Sequence, residues 1–278
     1  MAKLINRIST MRRDDRSIDP GEGETEIEAI AAQWTRKWDE LGGPKGDIGA
    51  IERRMRWRED FQILEPHLAR LPAGARLLDG GCGMGEWTVY LTRRGYPTSG
   101  LDVSAKTIEH LQKLFPDMDF RVGDIRATGF PDNTFDLYFS WGTFEHFEEG
   151  FGPVIREAYR VLKPGGTLLT SMPYDNLRVS WGAIRAPYRM KPEMRQATRF
   201  YQWRLTRAEL ARLLAKEGFA VDDVHVIGKR QGLQRMMQHT LGLDPTSTAT
   251  RGAAFLLAPF VPRDWVGHMI LAAARKPG

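Results

Sequence analysis

Between Leu77 and Gly85 the chain reads Leu-Leu-Asp-Gly-Gly-Cys-Gly-Met-Gly, an apolar run that closes on a carboxylate and then breaks into glycines. No other stretch narrows the possible fold as much. Glycines at 81, 83 and 85 let a strand turn sharply into a helix, and let a ligand lie against main chain where a side chain would obstruct it. The spacing is GxGxG, which departs from the GxGxxG of dinucleotide-binding dehydrogenases.

The flanking texture supports a strand–loop–helix reading. Strands are predicted at 76–79, 97–102, 118–122, 135–140 and 167–172, with helices at 86–94, 105–115 and 153–162 between them. Strands alternating with helices of this length make parallel βαβ units, hence an α/β, doubly wound sheet. Such sheets bind ligands beyond the carboxyl ends of their strands, so the loops there are where function is sought. A further helix is expected at 206–216, where Thr206 and Glu209 form a capping box. A strand at 219–227 and a last one at 265–275 complete the pattern.

The remainder divides into appendages. Residues 1–23 are polar and end in Asp19-Pro20-Gly21, which reads as a frayed, flexible tail. Residues 24–71 read as an N-terminal helical extension or lid. In it Ile27, Ile30, Trp34 and Trp38 recur at helical spacing, and a second helix is expected over 48–71, kinked or split at Pro66. Trp34 and Trp38 fit either a lid or a dimer contact, and the oligomeric state stays open. Residues 72–278 form the main domain, with insertions at about 173–204 and 228–263.

Composition excludes several classes. A single cysteine, Cys82, rules out an intrachain disulfide, and a formal charge of +5 is far from the basic stripe of a nucleic-acid binder. The most lipophilic stretch, 253–274, is interrupted by Pro259, Pro262, Arg263 and Asp264, so it does not read as a membrane span. A cytoplasmic protein is expected.

The glycine loop has partners further along. Asp102 closes the second predicted strand, where a carboxylate can accept both hydroxyls of a ribose, each charge-assisted bond contributing roughly 1.5–3 kcal/mol. Asp124, in Val122-Gly123-Asp124-Ile125, follows the third strand, in reach of an adenine amino group.

With these motifs the chain resembles the class I S-adenosylmethionine-dependent methyltransferases. The resemblance rests on 79–85, on Gly100-Leu101-Asp102-Val103-Ser104 and Gly123-Asp124-Ile125, and on Phe130-Pro131-Asp132-Asn133-Thr134-Phe135-Asp136, Phe144-Glu145-His146 and Leu162-Lys163-Pro164-Gly165-Gly166-Thr167. It covers about residues 55–228 and the final strand. It implies a Rossmann-like seven-stranded sheet in the order 3-2-1-4-5-7-6 with the last strand antiparallel. It also implies S-adenosyl-L-methionine as cofactor. By the family pattern Asp79, Gly81, Cys82 and Gly83 lie in the cofactor loop and Asp102 takes the ribose hydroxyls. Val103, Asp124 and Ile125 meet the adenine, and Ser140 or Trp141 meets the methionine end.

An acceptor hydroxyl needs a base with a pKa near working pH, and His146, just past the fourth strand, is the candidate. The same Glu-His pair also serves the family as a structural motif, and Glu145, Tyr174 and Asp175 are further candidates. Some relatives hold a metal through Glu-x-x-Glu-His. Gly142 stands at the first of those positions, so no metal is expected.

The acceptor should be read by the insertions. Arg185, Arg189 and Arg195, with Tyr174, suit a small anionic or glycan-like acceptor methylated on oxygen, because guanidinium forks pair bidentately with carboxylate or phosphate. Methylation on carbon or nitrogen of a lipid-soluble or natural-product acceptor is the alternative, as is a catalytically silent scaffold. The run Phe255-Leu256-Leu257-Ala258-Pro259-Phe260 is compatible with peripheral membrane contact or with packing on the sheet.

Overall fold

A computed structural model describes residues 11–17, 25–176 and 198–278. Nine strands are labelled here β1 (Arg12–Ser17), β2 (Leu77–Gly80), β3 (Thr98–Asp102), β4 (Asp119–Val122), β5 (Phe135–Trp141), β6 (Leu162–Pro173), β7 (Thr198–Arg204), β8 (Ala220–Ile227) and β9 (Met269–Arg275). Seven of them form one sheet in the order β4-β3-β2-β5-β6-β9-β8. In the order of those seven along the chain this is 3-2-1-4-5-7-6, as the resemblance implied. The pairs within β4-β3-β2-β5-β6 are parallel, and β9 runs antiparallel to both β6 and β8.

Two apolar clusters cover the two faces, and the strands feed them alternately. Leu78, Leu168, Met172, Ile270 and Ala272 point to one cluster; Leu77, Leu169, Leu271 and Ala273 point to the other. The first face is covered by α6 (Gly152–Val161) and α7 (Arg207–Lys216), and the second by α2 (Ile48–Met55), α3 (Glu59–Leu68), α4 (Glu86–Arg93) and α5 (Ala105–Leu114). Full burial of one Leu or Phe contributes about 1.5–3 kcal/mol, and this period-two alternation fixes strand register. Thr25 opens α1 (Glu26–Glu40) with a capping box to Glu28, and Thr206 does the same for α7 with Glu209.

Several expectations are corrected. The helix expected over 48–71 is two helices, separated around Arg58, while Pro66 lies inside α3 without breaking it. Arg58 leaves helical geometry to grip Asp60, donating to both carboxylate oxygens at 2.9 and 3.1 Å, and Asp60 also accepts from the Phe61 amide. Pro66 lies near the C-terminal end of α3; it deprives the Gln62 carbonyl of its helical donor, yet the helix continues to Leu68.

Part of the tail expected at 1–23 is ordered: β1 pairs antiparallel with β7 as a two-stranded ribbon outside the main sheet. Charge complementarity holds it, with Arg204 and Gln202 donating to Asp14 at 2.6 and 3.0 Å and Arg12 reaching Asp175 at 3.3 Å.

The insertion after β8 folds as α8 (Lys229–Leu241), α9 (Thr248–Leu257), a 3-10 turn (Ala258–Phe260) and the short α10 (Arg263–Val266). The last strand therefore starts at Met269, with Trp265 in α10. Phe255, Leu256 and Phe260 are exposed, so they do not pack on the sheet. Among the described residues no helix is long and apolar enough to cross a membrane.

Candidate active site

The loop that joins β2 to α4 forms the floor of a cavity of about 270 Å³. Its shape depends on two glycines. Gly81 has φ +79°, and a Cβ there would lie 2.3 Å from the Thr143 Oγ1. Gly83 has φ +51°, and a Cβ there would lie 2.9 Å from the Trp38 ring. Both positions combine a left-handed backbone with a close approach, so glycine is required twice over. The Gly81 and Cys82 amides donate to the Leu101 carbonyl at 2.8 and 3.0 Å, tying the loop to the end of β3.

Asp102 completes that tie. Its Oδ2 accepts from the Gly83 amide and its Oδ1 from the Ser104 amide, each at 2.9 Å. Burial pushes its pKa up, and the backbone amides of Ser104, Gly83 and Val103 pull it back down without cancelling the effect. Asp79 is also buried, accepts from the Thr88 hydroxyl at 2.8 Å, and is pushed up to about 7 by loss of solvent, with the Asp102 charge adding to the shift. The Cys82 thiol is raised by burial and by both carboxylates, so it is an unreactive wall.

Helix α1 roofs the cavity. Trp34 and Trp38 lie four residues apart on one face, stack with centroids 5.1 Å apart, and line the cavity together with Ile30. The opposite side is built by Arg58, Trp87 and Trp141, with the Arg58 guanidinium 5.4 Å from the Trp87 ring centre. The indole N–H groups of Trp38 and Trp141 are buried and have no hydrogen-bond acceptor among the described residues.

A second cavity of about 200 Å³ adjoins the first and shares Ile30, Trp34 and His146 with it. Its other walls include Glu26, Gln33, Glu148, Arg199, Phe200 and Tyr201. His146 sits between the two, edge-on to Trp34 at 5.1 Å and 5.3 Å from the Tyr201 ring. Its Nδ1 lies 2.7 Å from the Tyr201 carbonyl oxygen. A carbonyl only accepts, so Nδ1 carries the hydrogen and a neutral ring has its lone pair on Nε2. Beneath it Glu145 is buried, with one oxygen 4.0 Å from Nε2 and the other unbonded; burial pushes its carboxyl up to about 8.

Asp79, Gly81, Cys82, Gly83, Asp102, Val103, Ile125, Trp141 and His146 all line the first cavity. Three expected residues do not. Asp124 is taken by Arg126, whose guanidinium donates to both of its oxygens at 2.9–3.2 Å and also reaches Glu26 and Glu149. Ser140 is fully buried and donates to the Gly80 carbonyl at 2.7 Å, leaving Trp141 as the residue beyond β5 that faces the cavity. Tyr174 packs in the core with its hydroxyl 3.3 Å from Asp264. Arg185, Arg189 and Arg195 lie outside the described residues.

Glu86, Trp87, Thr143 and Phe147 are lining residues that sequence reasoning missed. For Glu86 and Trp87 a signal existed, since they open the helix after the glycine loop. Arg58, in the run Arg53, Arg54, Arg56 and Arg58, reads in the sequence either as a solvated helix face or as part of an anion site, and it lines the cavity. No group of three or more His, Cys, Asp or Glu among the described residues has the arrangement of a metal site.

Comparison with known proteins places the chain beside methyltransferases. Residues 78–170 match the family model described as a methyltransferase domain. Among curated relatives, the chain is 28% identical over 180 residues to a protein of Mycolicibacterium smegmatis named "Probable S-adenosylmethionine-dependent methyltransferase", a match spanning 65% of this chain and 65% of that one. It is 28% identical over 210 residues to a ubiquinone biosynthesis O-methyltransferase of Xanthomonas axonopodis pv. citri, spanning 72% of this chain and 82% of the relative. Among solved structures it superposes on 1,6-didemethyltoxoflavin-N1-methyltransferase of Burkholderia thailandensis with a TM-score of 0.56 at 18% identity, over 96% of both chains.

Proposed function

We propose that this chain, which belongs to the class I S-adenosylmethionine-dependent methyltransferases, moves a methyl group to a hydroxyl of a small acceptor held in the second cavity. The observation that carries the proposal is His146, which walls both cavities with its tautomer fixed by the Tyr201 carbonyl.

The first cavity suits S-adenosyl-L-methionine. The glycine cradle leaves room where a Cβ would meet Thr143 and Trp38, and the buried indole N–H groups of Trp38 and Trp141 lack acceptors among the described residues. Asp102 spends one lone pair of each oxygen on a backbone amide, and an ionised carboxylate has about four acceptor sites, so two remain for ribose hydroxyls. Asp79 is the counter-charge for the methionine ammonium. Val103 and Ile125 flank the adenine; the Asp124 carboxylate, bound by Arg126, is not assigned to it.

When bound, the cofactor supplies a methyl group already activated by its sulfonium. The chain then has to align the acceptor, exclude water and receive a proton. Alignment contributes about 7–11 kcal/mol in well-oriented systems, and the α1 roof with Trp34 and Phe147 keeps water out. His146 Nε2 receives the proton of the acceptor hydroxyl.

The second cavity supports an acceptor that joins an apolar or ring portion to an anionic group. Trp34, Phe200 and Tyr201 supply apolar wall, and Arg199 supplies positive charge. The name of the Xanthomonas relative supports transfer to oxygen.

The test is calorimetric titration with S-adenosylmethionine and S-adenosylhomocysteine, with NAD as control, followed by a screen of hydroxylated acceptors read by release of S-adenosylhomocysteine. His146→Ala should lower kcat by about 10²–10⁴ and leave S-adenosylhomocysteine affinity within a few-fold. Activity of the variant should recover as pH rises and the acceptor ionises by itself. Undiminished turnover in His146→Ala would remove the base from the mechanism; absence of cofactor binding would remove the mechanism.

A further inference from the structure

We propose that the outer face of α9 and its following turn seat this protein on an anionic phospholipid surface, with the cofactor edge of the sheet turned toward the bilayer. The inference is independent of which acceptor is methylated.

The starting point is an apolar patch that no element among the described residues covers. The α8–α9–α10 insertion has its own small core of Leu233, Met237, Ala254 and Val266. That core takes the inner face of α9. On the outer face Phe255 and Leu256 are 59% and 69% exposed, and Phe260 in the next turn is 82% exposed. The spacing of Gly252, Phe255, Leu256 and Phe260 places them on one side of the helix and its continuation. Isolated exposed hydrophobics need no explanation, but a contiguous group of large ones on a single element marks an interaction surface.

Charge selects the partner. From Lys229 to Pro262 the basic residues Lys229, Arg230, Arg235 and Arg251 stand against Asp244 as the one acidic residue. Arg230 lies with its guanidinium carbon 5.0 Å from the Phe255 ring centre, and Arg251 is one helical turn before Phe255. An apolar ridge flanked by guanidinium groups is the arrangement of helices that lie in a membrane interface, with rings among the acyl chains and cations among the headgroups.

The position fits as well. β8 runs antiparallel to β9, which runs antiparallel to β6, so β8 points the same way as β6. The insertion therefore leaves the sheet at the edge where β2 ends in the glycine loop. Burial lowers the pKa of Lys37 on the roofing helix α1, and the positive charge of Arg235 on α8 adds to the shift, so the positive field of the insertion extends to the cofactor edge.

The experiment is co-sedimentation of the full chain with phosphatidylcholine vesicles, with and without phosphatidylserine. Wild type, Phe255→Ser with Phe260→Ser, and Arg230→Gln with Arg251→Gln are compared. Wild type should sediment with the phosphatidylserine vesicles and much less with phosphatidylcholine alone. The serine variant should lose at least about ten-fold in partitioning, and the glutamine variant roughly five-fold per charge removed. All three should keep the same unfolding midpoint, since the substituted side chains are exposed. Wild type remaining in solution with both vesicles would overturn the proposal. So would equal sedimentation of the variants, or a wild-type dimer that the serine variant dissociates, because the face then belongs to a second copy.

Discussion

Replacing Asp102 with alanine tests the cofactor assignment and the loop architecture in one protein. The carboxylate holds the amides of Gly83 and Ser104, both at 2.9 Å and both buried. Alanine leaves two buried donors without acceptors, each costing about 1–3 kcal/mol. Part of that is offset because burial disfavours the Asp102 charge. A net stability loss of about 2–3 kcal/mol, read from urea unfolding, is therefore expected.

Affinity for S-adenosylhomocysteine should fall by about ten- to a thousand-fold, which corresponds to one or two charge-assisted bonds to the ribose. Loosening of the loop alone would also weaken binding, so the decisive comparison uses an S-adenosylhomocysteine analogue lacking the ribose 2′-hydroxyl. Calorimetry should show the analogue binding wild type more weakly than S-adenosylhomocysteine does, and binding Asp102→Ala about as well as S-adenosylhomocysteine does, because the missing hydroxyl has already lost its partner. An analogue penalty of equal size in both proteins would refute the ribose assignment. Asp102→Asn keeps one acceptor oxygen and should fall between wild type and alanine in both measurements.

Two further expectations follow from the site. The carboxyls of Asp79 and Glu145 are pushed up to about 7 and about 8 by burial, so across the window from about pH 4 to 8 the folded chain holds protons that the unfolded chain releases. Their contribution to stability is fully present at the acid end and is lost as pH rises through those values. The urea midpoint of the ligand-free protein should therefore fall toward alkaline pH more steeply than that of Asp79→Asn, and identical slopes would show that Asp79 ionises normally. Gly81→Ala brings a Cβ to 2.3 Å from the Thr143 hydroxyl at a φ of +79°, so it should lower the unfolding midpoint and cut cofactor affinity at least about ten-fold. If Thr143→Gly restores affinity, the steric account holds; if Gly81→Ala binds normally, the cradle is not where the ligand lies.

Much of the fold is legible without coordinates because its signals are local. The alternation of apolar residues in Leu77-Leu78 or Ile270-Leu271-Ala272-Ala273 decides which face each strand presents. The glycines at 81 and 83 mark a tight turn, and a carboxylate closing a strand, as at Asp79 and Asp102, is carried to the ligand edge by the handedness of the βαβ unit. Those determinants lie within a few residues of one another, so the chain writes them contiguously.

Tertiary structure decided the rest, because it depends on partners distant in sequence. The spacing that places Asp124 beside an adenine does not reveal that Arg126, itself drawn to Glu26 and Glu149, pairs with its carboxylate. Residues 12–17 read as part of a frayed tail and 198–204 as the end of an insertion until Asp14 meets Arg204 and Gln202 across the ribbon. Trp34 and Trp38 announce an apolar helix face, but amphipathic spacing says only that a face will be covered, not by what. The packing of Trp38 over Gly83 and of Trp34 against His146 is fixed only when α1 docks on the folded sheet.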